Sequence, residues 1–197
     1  MPKTLNDEER EYIRRRIKEE AINCMRQYGV KKTTVDELVR RVNIPKGTFY
    51  LFYKSKELAL FDALQEIDKA MHDEMNVQAV TMANGIDTDK LTDFIMTFYQ
   101  KGDKLGIFDI ISGGGLEILF RKLPRDLVEQ HLNEDQGDIA KMLRALGIAV
   151  KNEVLVSATF HGIFYEMSHK AEMGEMFWDV IRVQVRGLVV QIMQGEI

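Results

Sequence analysis

Between Thr34 and Tyr53 the chain reads TVDELVRRVNIPKGTFYLFY, and this stretch decides the fold. Thr34 with Glu37 has the spacing of a capping box, in which a hydroxyl closes a free backbone N–H at a helix start. Val35, Leu38, Val39 and Val42 follow at i, i+3, i+4 and i+7, one apolar face of a short helix. Asn43 tolerates the left-handed backbone of a tight turn. Pro45 suits the first turn of a new helix because its φ is already set. The second helix is expected over Lys46 to Tyr53, with Phe49 and Phe52 on a face that Lys46, Thr48 and Tyr50 do not share. Two short helices joined by a turn of three to four residues make a helix-turn-helix. A helix about 10–12 Å across fits a major groove about 12 Å wide, and Gly47 lets the backbone come close.

Outward from this core the pattern continues. Asn6 and Glu9 form a second capping box, ahead of an apolar stripe at Ile13, Ile17, Ala21, Cys24 and Tyr28. A first helix is expected from about Asp7 to Tyr28, closed by Gly29 in a left-handed conformation. Ser55 is an N-cap for a fourth helix through Leu58, Phe61, Leu64, Met71 and Met75. Residues 1–56 hold 14 Lys+Arg against 8 Asp+Glu, a net +6, within a 197-residue chain of net −4. A basic head on an acidic body points to a polyanionic partner for the head alone. The chain has one cysteine, Cys24, which excludes an internal disulfide and suits a reducing cytoplasm. The polar start Met1-Pro2-Lys3-Thr4 offers no signal peptide, and no apolar run is long enough to span a membrane.

The run Gly29, Thr33-Thr34-Val35-Asp36-Glu37-Leu38, Lys46-Gly47-Thr48-Phe49-Tyr50 and Phe52-Tyr53-Lys54-Ser55-Lys56-Glu57-Leu58 strongly resembles the TetR/AcrR repressors. The resemblance covers roughly residues 8–60. Asn43 stands where that family usually has Gly, Pro45 where it often has Ser, and Phe52-Tyr53 replaces a more usual His-Phe or Tyr-Phe pair. The resemblance implies an all-α protein. Its DNA-binding helix-turn-helix domain would occupy residues 1–55 and its helical ligand-binding and dimerisation domain residues 56–197. It implies that Thr33 or Thr34 meets a phosphate, that Lys46, Gly47, Thr48 and Tyr50 lie at the groove, and that Lys54 grips the DNA backbone. Leu51 is suited to a thymine methyl. Arg14, Arg15 and Arg16 read equally well as a solvated helix face and stay outside the site.

In the body, helical spacing recurs at Leu91, Phe94, Ile95, Phe98 and Tyr99, and Pro124 opens a further helix. Gly113-Gly114-Gly115 lacks a preceding strand and a following Gly-Lys-Ser/Thr, so it reads as a kink rather than a phosphate loop. A helix from Asn152 to about Glu172 precedes one from Gly174 to Gln194 that is apolar nearly all round. Such a helix is buried on more than one side: against a second subunit, or centrally in the monomer core. The resemblance implies the first, a homodimer through residues 152–194. It also implies a small apolar or amphipathic effector within the body. Candidate lining residues are Phe98, Tyr99, Phe120, Phe160, His161, Phe164 and Tyr165, which also serve as ordinary core. Glu166 and His169 have the Glu-x-x-His spacing of a di-metal bundle, but no second copy exists. No catalytic residue, metal or cofactor is therefore expected. The competing readings are a helical cofactor or metal carrier, and an interaction protein whose helix-turn-helix no longer reads DNA.

Overall fold

The computed structural model describes residues 5–82, 85–111 and 114–197. Every regular element among them is helical, the expected all-α class. The chain divides into two compact units. One takes in residues 1–68 and 114–124, and the other residues 69–113 and 125–197.

In the first unit, α1 (Asp7–Lys32) is closed at its start by the expected reciprocal box. The Glu9 N–H donates to Asn6 Oδ1 at 2.7 Å and the Asn6 N–H to Glu9 Oε2 at 3.0 Å. The helix does not end at Tyr28. It crosses a kink at Gly29, where φ is +74° and ψ is 165°, and runs on to Lys32. The expected left-handed cap is not formed: φ is positive, but ψ lies outside the left-handed helical region, so Gly29 bends the helix and the chain resumes its turn beyond it. α2 (Val35–Val42) and α3 (Lys46–Phe49) follow. Asn43 between them adopts φ +60° and ψ +50°, the left-handed turn read from its sequence. Pro45 is the N-cap of α3.

α3 is shorter than its expected span. Past Phe49 the Leu51 N–H bonds to the Thr48 carbonyl and the Phe52 N–H to the Phe49 carbonyl, a tightened i→i+3 ending. Phe49 is completely buried, 5.9 Å from the Tyr53 ring, and anchors this turn. α4 (Lys56–Met82) starts on Ser55, whose Oγ accepts from the Leu58 N–H at 3.3 Å. Its first part belongs to this unit, and Phe61 meets Phe120 of α7 (Gly115–Phe120) edge-on at 6.0 Å.

In the second unit, α5 (Thr88–Lys104) starts on Asp87 and packs along α11 (Phe177–Met193). Arg182 pairs with Asp93 at 2.6 Å, and Arg186 pairs with Asp89. α6 (Ile107–Ile111), α8 (Arg125–Ala145) and α9 (Glu153–Glu166) complete the bundle with the short α10 (Lys170–Met173). Its core includes Leu91, Ile181, Val185 and Val189, all fully buried. The expected helix from Asn152 to Glu172 is cut at Glu166 by tight turns, and α11 begins at Phe177 rather than Gly174. Gly174, at φ +63° and ψ −140°, has a backbone that only glycine takes without strain. Of the glycine triplet, Gly113 lies outside the described residues, while Gly114 (φ +76°) caps α7 and Gly115 opens it. The residues Met1 to Thr4 also lie outside them.

Candidate nucleic-acid interface

The helix-turn-helix is held from beneath by apolar packing and along its flank by a polar network. Leu38 of α2 and Phe49 of α3 are the buried anchors. Arg41 ties α2 to α1 through Gln27 at 2.5 Å and the Tyr28 hydroxyl at 3.0 Å, with its guanidinium over the Tyr28 ring. Arg41 also pairs with Glu37 at 2.7 Å, as does Arg40. Hydrogen bonds from Arg40 and Arg41 hold the Glu37 carboxyl down at about 2, so Glu37 is charged at any working pH. Glu37 is thus engaged with arginines. Its capping box with Thr34 is only half made: Thr34 Oγ1 accepts from the Glu37 N–H at 3.2 Å.

The residues singled out at the α2 start separate clearly. Thr33 is fully buried, and its hydroxyl donates to the Gly29 carbonyl at 2.9 Å. Thr34 is exposed at the helix terminus, beside backbone N–H groups that carry partial positive charge.

Around α3 several side chains other than Phe49 face outward. Lys46 is exposed and pairs with Asp36 at 2.8 Å, which raises its pKa. An exposed pair of this kind is worth about 0–1 kcal/mol, so a phosphate or base edge can displace it. Thr48 is half-buried. Tyr50 is 50% exposed and Leu51 64% exposed, although both are large and have a core within reach. Lys54 is exposed and carries no ion pair among the described residues. A Cβ built on Gly47 meets nothing within 4 Å, so the protein itself does not require glycine there. An exposed rim of lysines around an aromatic and an aliphatic side chain matches a surface that meets phosphates and base edges together.

The candidate ligand-lining residues range from buried to exposed. Tyr99 is buried, and its hydroxyl donates to the Phe160 carbonyl at 3.0 Å. Phe98 meets Tyr99 at 6.2 Å and His72 at 5.6 Å. Phe164 packs edge-on to Phe108 at 5.2 Å, and Tyr165 beside it is 53% exposed. His161 is half-buried. Phe120 belongs to the first unit, with Phe61, and the other six to the second. Among the described residues no cluster of His, Cys, Asp and Glu has the arrangement to hold a metal. Among the described residues no helix is long and apolar enough to cross a membrane.

Residues 17–64 match the family described as bacterial regulatory proteins, tetR family. The HTH-type transcriptional regulator YhgD of Bacillus subtilis is 39% identical over 64 residues, covering 28% of this chain and 33% of that protein. The chain thus aligns with about a third of the length of that relative. The fold is similar to that of a protein from Mesorhizobium loti described as a TetR-family transcriptional regulator, with TM-score 0.63 and 13% identity over 93% of this chain and 96% of that one. It is also similar to that of the regulator FadR from Bacillus subtilis, solved in complex with stearoyl-CoA, with TM-score 0.60 and 15% identity over 92% of this chain and 98% of that one.

Proposed function

We propose that this chain, whose residues 17–64 match the tetR family, is a ligand-responsive transcriptional repressor of that family. It binds a palindromic operator as a homodimer and is released by a small apolar or amphipathic effector. The observation that carries this reading is the outward display of Lys46, Tyr50, Leu51 and Lys54 around a turn whose inward side is locked by Phe49. Residues 1–55 supply the reading head and residues 56–197 the effector and dimerisation functions. At the α2 start the phosphate contact falls to Thr34, because the Thr33 hydroxyl is buried and already bonded.

Two copies place their recognition helices about 34–36 Å apart, or a multiple of it, on successive grooves. An effector that favours another separation weakens DNA binding by the coupling free energy, about 1–3 kcal/mol for a 5–150-fold change. Support for the dimer comes from the outer side of α9 and α11. There Leu155, Gly162, Val183 and Gly187 border an open groove of about 520 Å³.

The test is retention of sheared genomic DNA by the purified protein, followed by sequencing. Fragments sharing a palindrome are the expected result. Random recovery from ligand-free protein would count against the reading. On the recovered duplex, Tyr50→Ala is expected to cost about 1–3 kcal/mol of affinity, the worth of a base contact. Equal affinity in a fluorescence titration would remove Tyr50 from the groove. Gly47→Ala is expected to leave thermal stability unchanged or raise it, by up to about 1 kcal/mol of helix propensity, while weakening DNA binding. A variant that binds as well as the parent would show that the backbone at Gly47 stays clear of DNA.

A further inference from the structure

We infer that Lys56 is a positioning residue for the α2 terminus rather than a phosphate ligand: its ammonium gathers the backbone carbonyls of Val30, Lys31 and Thr33 and fixes the corner from which Thr34 meets DNA. Lys56 Nζ donates to the Thr33 carbonyl at 2.5 Å, the Val30 carbonyl at 3.2 Å and the Lys31 carbonyl at 3.3 Å. An ammonium has three donors, and all three are spent here. Val30 and Lys31 lie in the last turn of α1, past the bend at Gly29, where carbonyls lack helical partners, and Thr33 is its C-cap. These carbonyls carry the partial negative charge of a helix C-terminus, which favours a cation.

The position of Lys56 in its own helix argues the same way. It is the first residue of α4, where a positive charge opposes the helix dipole. The contact across 23 to 26 residues of sequence outweighs that local penalty. Lys56 is half-buried, and burial lowers its pKa from the ordinary lysine value. Lys54, two residues earlier, is exposed and has no such partners among the described residues. Two lysines of one short run thus have opposite tasks. Lys54 faces outward for the backbone of a nucleic acid, and Lys56 faces inward as a clamp on α1. The Thr33 carbonyl it holds directly precedes Thr34, the cap of α2.

The DNA half of this inference rests on the operator-binding reading, whereas the clamp itself does not, so the experiment has two arms. In the first, amide hydrogen exchange is measured on the free protein. Lys56→Met is expected to speed exchange at Thr33 to Glu37 while Ile17 to Met25 stay protected. In the second, affinity for the duplex recovered from genomic DNA is measured over a range of salt. Lys56→Met is expected to weaken binding about tenfold, the size of a lost helix-terminus contact, with the slope of log affinity against log salt unchanged. Lys54→Gln is expected to reduce that slope by about 1, as loss of one phosphate contact does. A slope reduced by Lys56→Met to the same degree, or unchanged exchange at the corner, would overturn the inference. If Lys56→Met does not fold, Lys56→Gln, which keeps two N–H donors on a shorter stem, is read by the same criteria. If no duplex is retained by the parent protein, the operator reading fails and the exchange arm still decides the clamp.

Discussion

Val183→Arg is expected to break the proposed homodimer into folded monomers that no longer hold the proposed palindromic site. Val183 lies on α11 and is 72% exposed, the most exposed of the large apolar side chains among the described residues. Across the groove, α9 contributes Leu155 at 46% exposure and Gly162, with Val154 exposed nearby. A Cβ on Gly162 or Gly187 meets nothing within 4 Å, so both helices present smooth backbone that another helix can approach closely. Seating an arginine at this face buries an unpaired charge in each copy. The expected cost is about 3 kcal/mol or more, above a hundredfold in the dimer dissociation constant. Because Val183 packs little within its own chain, the melting of the isolated protomer is expected to change little. Sedimentation velocity reads the state directly. A Val183→Arg protein that remains dimeric, or a parent protein that is monomeric at the same concentration, would overturn this assignment.

Phe49→Ala is expected to destabilise the head by about 3–5 kcal/mol and to abolish specific DNA binding with it. Phe49 is wholly buried, with Tyr50 edge-on at 5.5 Å and Tyr53 at 5.9 Å. α3 has only four residues, so its own backbone bonds cannot hold it without this anchor. Truncation leaves a cavity beneath the turn that carries Lys46, Thr48 and Tyr50. The loss is a large share of the about 5–15 kcal/mol available to a typical domain. Urea unfolding followed by circular dichroism measures it. A midpoint unchanged from the parent would show that the turn is held by something other than Phe49.

The outward half of the site was legible because it is written in local code. Helix spacing set Lys46 and Tyr50 apart from the face of Phe49, whereas Lys54 was singled out by the resemblance to the TetR/AcrR repressors. Charge counting was a blunter guide. The head's net +6 does not say which cations are free, and Arg16, Arg40 and Arg41 are paired with Glu19, Glu20 and Glu37. Thr34 alone had capping spacing, but Thr33 and Thr34 were equal alternatives for a phosphate contact. Only burial separates them, turning one hydroxyl toward Gly29 and leaving the other at the surface. The clamp by Lys56 carried no readable signal beyond a lysine run, since its acceptors are backbone carbonyls, which every residue has.

The amino-acid order by itself determined where helices begin and turn. The caps at Asn6, Thr34, Ser55, Asp87 and Asn152 each bind an N–H three residues on, and Asn43 and Gly29 take backbones few residues accept. Interactions reaching three or four residues survive in any context that leaves them wet or half-wet. Tertiary structure alone decided how far α1 continues past its bend, where α9 stops, which cations stay free and which face of α11 remains open. Those outcomes hang on partners far apart in the chain, such as Lys56 with Val30 and Arg182 with Asp93. They are set by competition for burial and for hydrogen-bond partners, which no spacing rule contains.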